Sequence, residues 1–384
     1  MRIAIVGCGF VADYYLRTLP NYPELELAGV VDRDSHRAAR FAAFYRLPVY
    51  QNLDQLLADR SVELILNLTN PHSHFAVSKA ALEAGKHVYS EKPLATVFEE
   101  AKELVRMAEC RKLYITSAPC SILGKTAQTI WKALRHNVVG KVRLAYAELD
   151  DGLIHRMRYH RWISESGSPW PYKDEFEVGC TLEHAGYYVS WLTAFWGPAK
   201  TVTSFASCLI PDKQTDMPLD IIAPDFSVAC IEFASGIVAR LTCSIVAPHN
   251  HALHIIGDEG ILSTEECWNY GSPVYLKRRT KLSLWAEKHK LLGILPGIGA
   301  RKYPLVRGSN YCHRYKDSHQ IDVAREVAEL AGAIVEKRPC RMSARWALHV
   351  NEIVLTIQYP QQMGCPRTLT TSFEPVDPMP WAKP

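Results

Sequence analysis

Three short stretches carry side chains that could do chemistry together. In "VGCGFVA", Gly7, Gly9 and Ala12 form a G-x-G-x-x-A pattern directly after the apolar run "RIAIV". Gly7 permits a tight turn, Gly9 lets a pyrophosphate approach the backbone, and Ala12 allows close helix–strand packing. The helix that opens at Phe10 and Val11 then offers its positive N-terminus to phosphate. Asp32 closes the next strand, in "VVDRD", where a carboxylate accepts from a ribose 2′-hydroxyl. Such a carboxylate repels a 2′-phosphate and favours NAD, while Arg33 beside it leaves NADP open. Lys92, in "SEKPLAT", lies just past another apolar run. Ligands of open α/β sheets bind outside the carboxyl ends of the strands. A lysine there hydrogen-bonds a substrate hydroxyl and stabilises the alkoxide charge that develops as a carbinol is oxidised. A cis bond at Pro93 would aim it into the cleft.

The third stretch is "TLEHAGYYVSWL", residues 181–192. Leu182, Ala185, Val189 and Leu192 recur as one buried helical stripe. At roughly 100° per residue, His184 and Tyr188 stack on its flank and Glu183 points to the far side. The pair is either a hydrogen-bonded core pair or an imidazole and a phenol set for proton transfer.

These residues need a scaffold, and the chain supplies two textures. Residues 1 to about 120 alternate short apolar runs with helical patterns, which predicts βαβ units and a doubly wound parallel sheet. From 139 the strands lengthen, with hairpins expected around Ser235-Gly236 and Gly257–Gly260. Helices over 179–196 and about 317–336 bracket this region. The expectation is an α/β chain: a Rossmann-like domain over 1–120, an α+β domain with a large, mostly antiparallel open sheet over 121–367, and an irregular tail over 368–384. Residues 280–310 read as an inserted lid or interface segment.

Composition narrows the classes. A net charge of +4 with no basic run argues against nucleic acid or a membrane surface. Eleven cysteines without metal-type spacing fit reduced thiols in a cytoplasm. No apolar stretch approaches a membrane span, and no signal-peptide pattern precedes the first strand. His249, His251 and His254 lie around a turn and strand without a paired second element, so they read as structural and no metal is expected.

"TNPHSHF", then "AGKHV" and "SEKPLAT", in that order after the glycine turn, resemble the Gfo/Idh/MocA oxidoreductase family. The resemblance implies a dinucleotide domain joined to an open-sheet domain, and NAD(P)-linked oxidation or reduction of sugars, nucleotide sugars or cyclitols. It assigns the cofactor to Gly7, Gly9, Phe10, Val11, Asp32, Arg33, Thr69, Asn70, Pro71, His74, Glu91, Lys92 and Pro93. Asn70 and Pro71 would wall the nicotinamide pocket, and His74 would pack the following helix. The family's second-domain helix usually carries Asp and His four residues apart around a glycine. Aligned on Gly186, His184 takes the Asp position and Tyr188 the His position, which turns the flank pair into a site pair.

The expected function is therefore hydride transfer between NAD, or NADP, and a secondary alcohol or ketone of a sugar-like substrate. Lys92, Tyr188 and His184 are the expected catalytic residues. Arg161, Trp162 and Lys173, from the polar segment "HRMRYHRW" and its sequel, are expected to touch substrate with them. Tyr311, His313 or Tyr315 could reach the cleft. Two alternatives stand: redox-assisted glycoside cleavage with retained NAD, and a non-catalytic NAD-binding sugar sensor. The exposed face of an antiparallel sheet suits a homodimer or homotetramer.

Overall fold

The structure is a computed structural model that describes residues 1–119, 121–286, 299–308 and 320–383. Five strands open the chain: β1 (Arg2–Val6), β2 (Glu26–Val31), β3 (Leu64–Asn67), β4 (His87–Ser90) and β5 (Ile115–Ser117). They form one parallel sheet in the order β2-β1-β3-β4-β5. Their residues are almost continuously buried, as parallel strands covered by crossover helices must be. The order reverses between β1 and β3. The turns leaving these two strands, at Gly7–Gly9 and Thr69–Pro71, therefore face the crevice where such sheets bind ligands.

The second sheet has nine strands: β6 (Val142–Asp150), β7 (Ala199–Ser207), β8 (Phe226–Phe233), β9 (Val238–Ser244), β10 (Leu253–Gly257), β11 (Gly260–Thr264), β12 (Val274–Arg278), β13 (Arg301–Tyr303) and β14 (Arg367–Thr368). Their order is β13-β12-β11-β10-β6-β9-β8-β7-β14. Both expected hairpins form, β8–β9 around Gly236 and β10–β11 at 257–260. Gly236 takes φ 79°, which a side chain at that turn would resist. One pair, β6–β9, is parallel, and it sets Asp150 opposite Ser244. Both strands thus end at one edge of the sheet, with Asp151 just beyond.

Two features were not foreseen. The 179–196 helix begins with a π turn, Thr181–Ala185, and becomes regular only over Gly186–Trp196. A helix at Ala344–Gln358, capped by Ser343, packs on helix Phe98–Arg111, on β7 and on Gly186–Trp196, so it joins both sheets' surroundings. At its centre, buried Glu352 accepts from Arg367, Thr370 and Thr371, which pins the otherwise irregular tail. The second unit also reaches back at 163–169. Ser166 N and Oγ donate to Asp13 Oδ1 and Oδ2 (3.2 and 2.8 Å), and Ser168 Oγ donates to the Cys8 carbonyl (3.1 Å).

Of the 280–310 segment, Lys281–Ala286 is helical and Arg301–Tyr303 is the edge strand β13. The stretch 287–298, with Tyr311, His313 and Tyr315, lies outside the described residues. The later helix is described over Ala324–Glu336. Among the described residues no helix is long and apolar enough to cross a membrane.

Candidate active site

The glycine turn is built for close approach. Gly7 takes φ 99°, and a Cβ there would stand 2.5 Å from the Leu68 carbonyl oxygen. A Cβ at Gly9 would meet nothing within 4 Å. Gly9 also precedes helix Phe10–Thr18 without a side-chain cap, so first-turn amides are left for an anion. Phe10 and Val11, both half-buried, begin that turn. Asp32 Oδ2 accepts from Cys8 N and Oδ1 from Asp34 N, each at 2.8 Å, so it braces the loop it serves. Arg33 is exposed, and Arg37 Nη1 lies 3.6 Å from Asp32.

Beyond β3, Asn67 Oδ1 accepts from Thr69 Oγ1 (2.7 Å), which shapes the Thr69-Asn70-Pro71 loop. Asn70 Oδ1 is buried with no hydrogen-bond partner among the described residues. His74 lies with its ring nitrogens 2.7 Å from the Pro93 carbonyl and 3.0 Å from that of Thr69. It ties the two loops together, and burial pushes its pKa down. An open glycine cradle, an uncapped helix start and an unpartnered buried amide oxygen together fit a dinucleotide.

At the end of β4, Glu91 accepts from the Tyr15 hydroxyl (2.6 Å) and from Lys92 N (3.0 Å). The Lys92–Pro93 bond is cis. Lys92 Nζ pairs with the Glu183 carboxylate. Burial pulls the lysine pKa down, but Glu183 and Glu91 outweigh it and hold the ammonium charged.

This contact corrects the expectation for Glu183. A π turn closes i→i+5 bonds and inserts extra residues per turn, so the phase computed at 3.6 breaks across 181–185. Glu183 swings to Lys92. Tyr188 swings the other way: it is fully buried, packs edge-on against Trp191, and its hydroxyl donates to the His251 carbonyl. Burial raises its pKa well above the usual phenol value. Tyr188 is thus a core hydrogen bond and not a member of the cleft.

His184 takes a different place again. Its Nδ1 lies 2.7 Å from Asp151 Oδ2 and its Nε2 3.5 Å from Glu175 Oε1. Burial alone would strip the ring's proton, but Glu175 and Asp151 outweigh burial and keep His184 an imidazolium. Burial raises Glu175. For Asp151 burial pulls upward too, yet His184 and His251 dominate and hold its pKa below the usual carboxyl range. His251 continues the row, with Nε2 at 2.7 Å from Asp151 Oδ1 and Nδ1 at 3.0 Å from Glu266 Oε1. Burial opposes its charge, but both carboxylates push its pKa up to about 9. His249 is exposed, 3.9 Å from Glu266. Ligand atoms of Asp151, His249 and His251 lie within 4.8 Å of one another, though both His251 nitrogens already meet carboxylates.

The other expected substrate contacts have local partners of their own. Lys173 is engaged by Asp220 (2.7 Å) and Glu177 (3.6 Å). Arg161 is exposed on a 3₁₀ turn, and Trp162 packs on Trp170 (5.0 Å). Glu175, Glu183, Asp151 and His251 are the functional candidates that sequence reasoning missed. Two signals were visible: a pair of acids ending a strand, Asp150-Asp151, and the acidic run "DEFE" before the helix.

Fold and site together define a two-domain, dinucleotide-dependent oxidoreductase. The chain belongs to the Gfo/Idh/MocA oxidoreductase family: residues 1–118 match "Oxidoreductase family, NAD-binding Rossmann fold", and 127–263 match "GFO/IDH/MocA C-terminal domain". It is an NAD(P)-dependent enzyme. It is 24% identical to mouse trans-1,2-dihydrobenzene-1,2-diol dehydrogenase (Mus musculus) over 85% of this chain and 89% of that one. It is 38% identical to an uncharacterized oxidoreductase of Schizosaccharomyces pombe over 60% of this chain and 65% of that one. Among solved structures, UDP-N-acetylglucosamine 3-dehydrogenase from Acidithiobacillus ferrooxidans shares the fold with TM-score 0.66, 21% identity, and coverage of 93% and 96% of the two chains. Aldose-aldose oxidoreductase from Caulobacter crescentus does so with TM-score 0.73, 15% identity, and coverage of 96% and 99%.

Proposed function

We propose that the enzyme interconverts a secondary alcohol and a ketone on a sugar-like, polyhydroxylated substrate. The observation that carries this is the pairing of Lys92 with Glu183 at the mouth of the dinucleotide crevice, with His184 held charged behind it by Glu175 and Asp151. Bound NAD(P) supplies the acceptor or donor of the hydride. Gly7, Gly9, Asp32 and the Thr69–Pro71 loop would hold it. Lys92 hydrogen-bonds the reacting oxygen and stabilises its developing negative charge, and Glu183 fixes the ammonium there. His184, in place of Tyr188, exchanges the proton with that oxygen. Names of the relatives support the substrate class, since they describe dehydrogenases of dihydrodiols, nucleotide sugars and aldoses.

Nine free cysteines among the described residues accord with a cytoplasmic setting, and the open face of the nine-stranded sheet with self-association into a homodimer or homotetramer. Contacts of the 163–169 strap on the glycine turn favour one second reading, redox-assisted glycoside cleavage with retained NAD. Release of a cleaved aglycone without net NADH would mark it. The deciding experiment screens sugars and nucleotide sugars with wild type and Lys92→Ala. Lys92→Ala should lose about 10²–10⁴ in kcat while NADH affinity stays within about threefold. Undiminished turnover would remove Lys92 from the chemistry.

A further inference from the structure

The charged row Glu175, His184, Asp151, His251, Glu266 runs from helix Tyr172–Val178 to the residues after β11, and its inner half has no direct use in the proposed chemistry. The His251 side chain is 0% exposed. As a stability device such a row is poor. Each buried ion costs several kcal/mol of lost hydration, and apolar groups of equal volume do as well or better. Its geometry suits another task. Both ring nitrogens of His251 face carboxylates, at 2.7 and 3.0 Å, so the ring cannot turn without losing both. Its carbonyl takes the Tyr188 hydroxyl, which ties it to the helix that carries His184. The Trp268 indole packs on both imidazoles, with centroids 4.4 Å from His251 and 5.7 Å from His184. Asp151 Oδ1 is hydrogen-bonded to His251 Nε2, and its Oδ2 stands 2.7 Å from His184 Nδ1 as a charge contact, off the line of a hydrogen bond.

We propose that His251 and Glu266 are positioning residues: they aim the Asp151 carboxylate at His184 Nδ1 and so keep His184 Nε2 directed to Glu175 and the crevice. This rests on reading His184 as the proton-exchanging group. In the reductive direction bound NAD(P)H would supply the hydride to the carbonyl carbon, while the His184 N–H bond breaks and an O–H bond forms on the substrate oxygen. Asp151 then keeps His251 as its one charged imidazole partner, and His184 recovers its proton from water. The charged groups facing His184 are Glu175 from helix Tyr172–Val178 and Asp151 after β6; Glu183 and Lys92 act on Glu175 in turn. Those facing His251 are Asp151, Glu266 and the neighbouring His249.

The test uses full-length His251→Gln and Glu266→Gln. Imidazole ¹H–¹⁵N NMR reads His184, its signals assigned by their loss in His184→Gln. In wild type the ring should stay doubly protonated, with a slowly exchanging, far-downfield Nδ1 proton. His251→Gln should lose that slow exchange, and kcat should fall about 10–100-fold with KM and NADH Kd within about threefold. Glu266 is partly exposed, so Glu266→Gln should fold and show the same change more weakly. Wild-type kcat and unchanged His184 signals in both variants would overturn the proposal. So would stoichiometric uptake of zinc by Asp151, His249 and His251. Should wild type turn over no polyol, the enzymatic reading falls, while the His184 spectra still decide the positioning.

Discussion

Tyr188→Phe separates the two roles that a stacked imidazole and phenol can have. The ring is fully buried against Trp191, and phenylalanine preserves that packing. What is lost is one hydrogen bond, from the hydroxyl to the His251 carbonyl. Leaving a buried acceptor unpaired costs about 1–3 kcal/mol. At about 2.1 cal/mol/K of unfolding entropy per residue, 384 residues convert this to a Tm loss of about 1–4 °C. No described contact joins the phenol to Lys92, so kcat should stay within about twofold of wild type. Differential scanning calorimetry and steady-state turnover on the same preparation measure both. A fall of about 100-fold or more in kcat with an unmoved Tm would refute the argument, because it would place the phenol in the chemistry despite its burial.

Two further perturbations follow from geometry. Gly7→Ala forces a Cβ against the Leu68 carbonyl at φ 99°, so it should both destabilise the protein and raise NADH Kd by about 100-fold or more; Gly9→Ala, with open space, should melt like wild type and lose NADH affinity alone, as fluorescence titration would show. Acid stability should hinge on His349, whose Nε2 accepts from Ala199 N (2.9 Å) and whose pKa burial lowers to about 4. The folded state resists a proton that the unfolded chain takes near 6.5, so His349 contributes fully above pH ~6.5 and its contribution is lost as pH falls through about 4, to a total of about 3 kcal/mol. Denaturant unfolding at pH 7 and 4.5 should show His349→Gln losing less stability on acidification than wild type, and equal losses would count against it.

The nucleotide half was legible because its signals are local. A glycine turn, a strand-end acid and a lysine before proline each sit within a few residues of the backbone feature that positions them. The hairpins at 235–236 and 257–260 were legible for the same reason. Glu183 was misplaced because a helical wheel assumes one period, and a single π turn shifts every side chain behind it. Asp151 and His251 were invisible for a different reason. They are a hundred residues apart, and they meet only because β6 and β10 pair antiparallel, which sets Asp150 opposite Asn250. No sequence period announces which distant strands will pair. Helix Ala344–Gln358 is buried on most of its surface, which blurs the amphipathic stripe that would have marked it.

Ser166 and Ser168 bear on inheritance as much as on binding. They lie far downstream of the 1–118 match, yet they close hydrogen bonds on Asp13 and Cys8 inside it. The nucleotide half is therefore not a self-contained module that recombination can pass from one relative to another. A crossover near residue 120 would deliver a glycine turn whose buried Asp13 has lost two of its donors. A substitution at Asp13 or at Ser166 is thus felt on both sides of that seam.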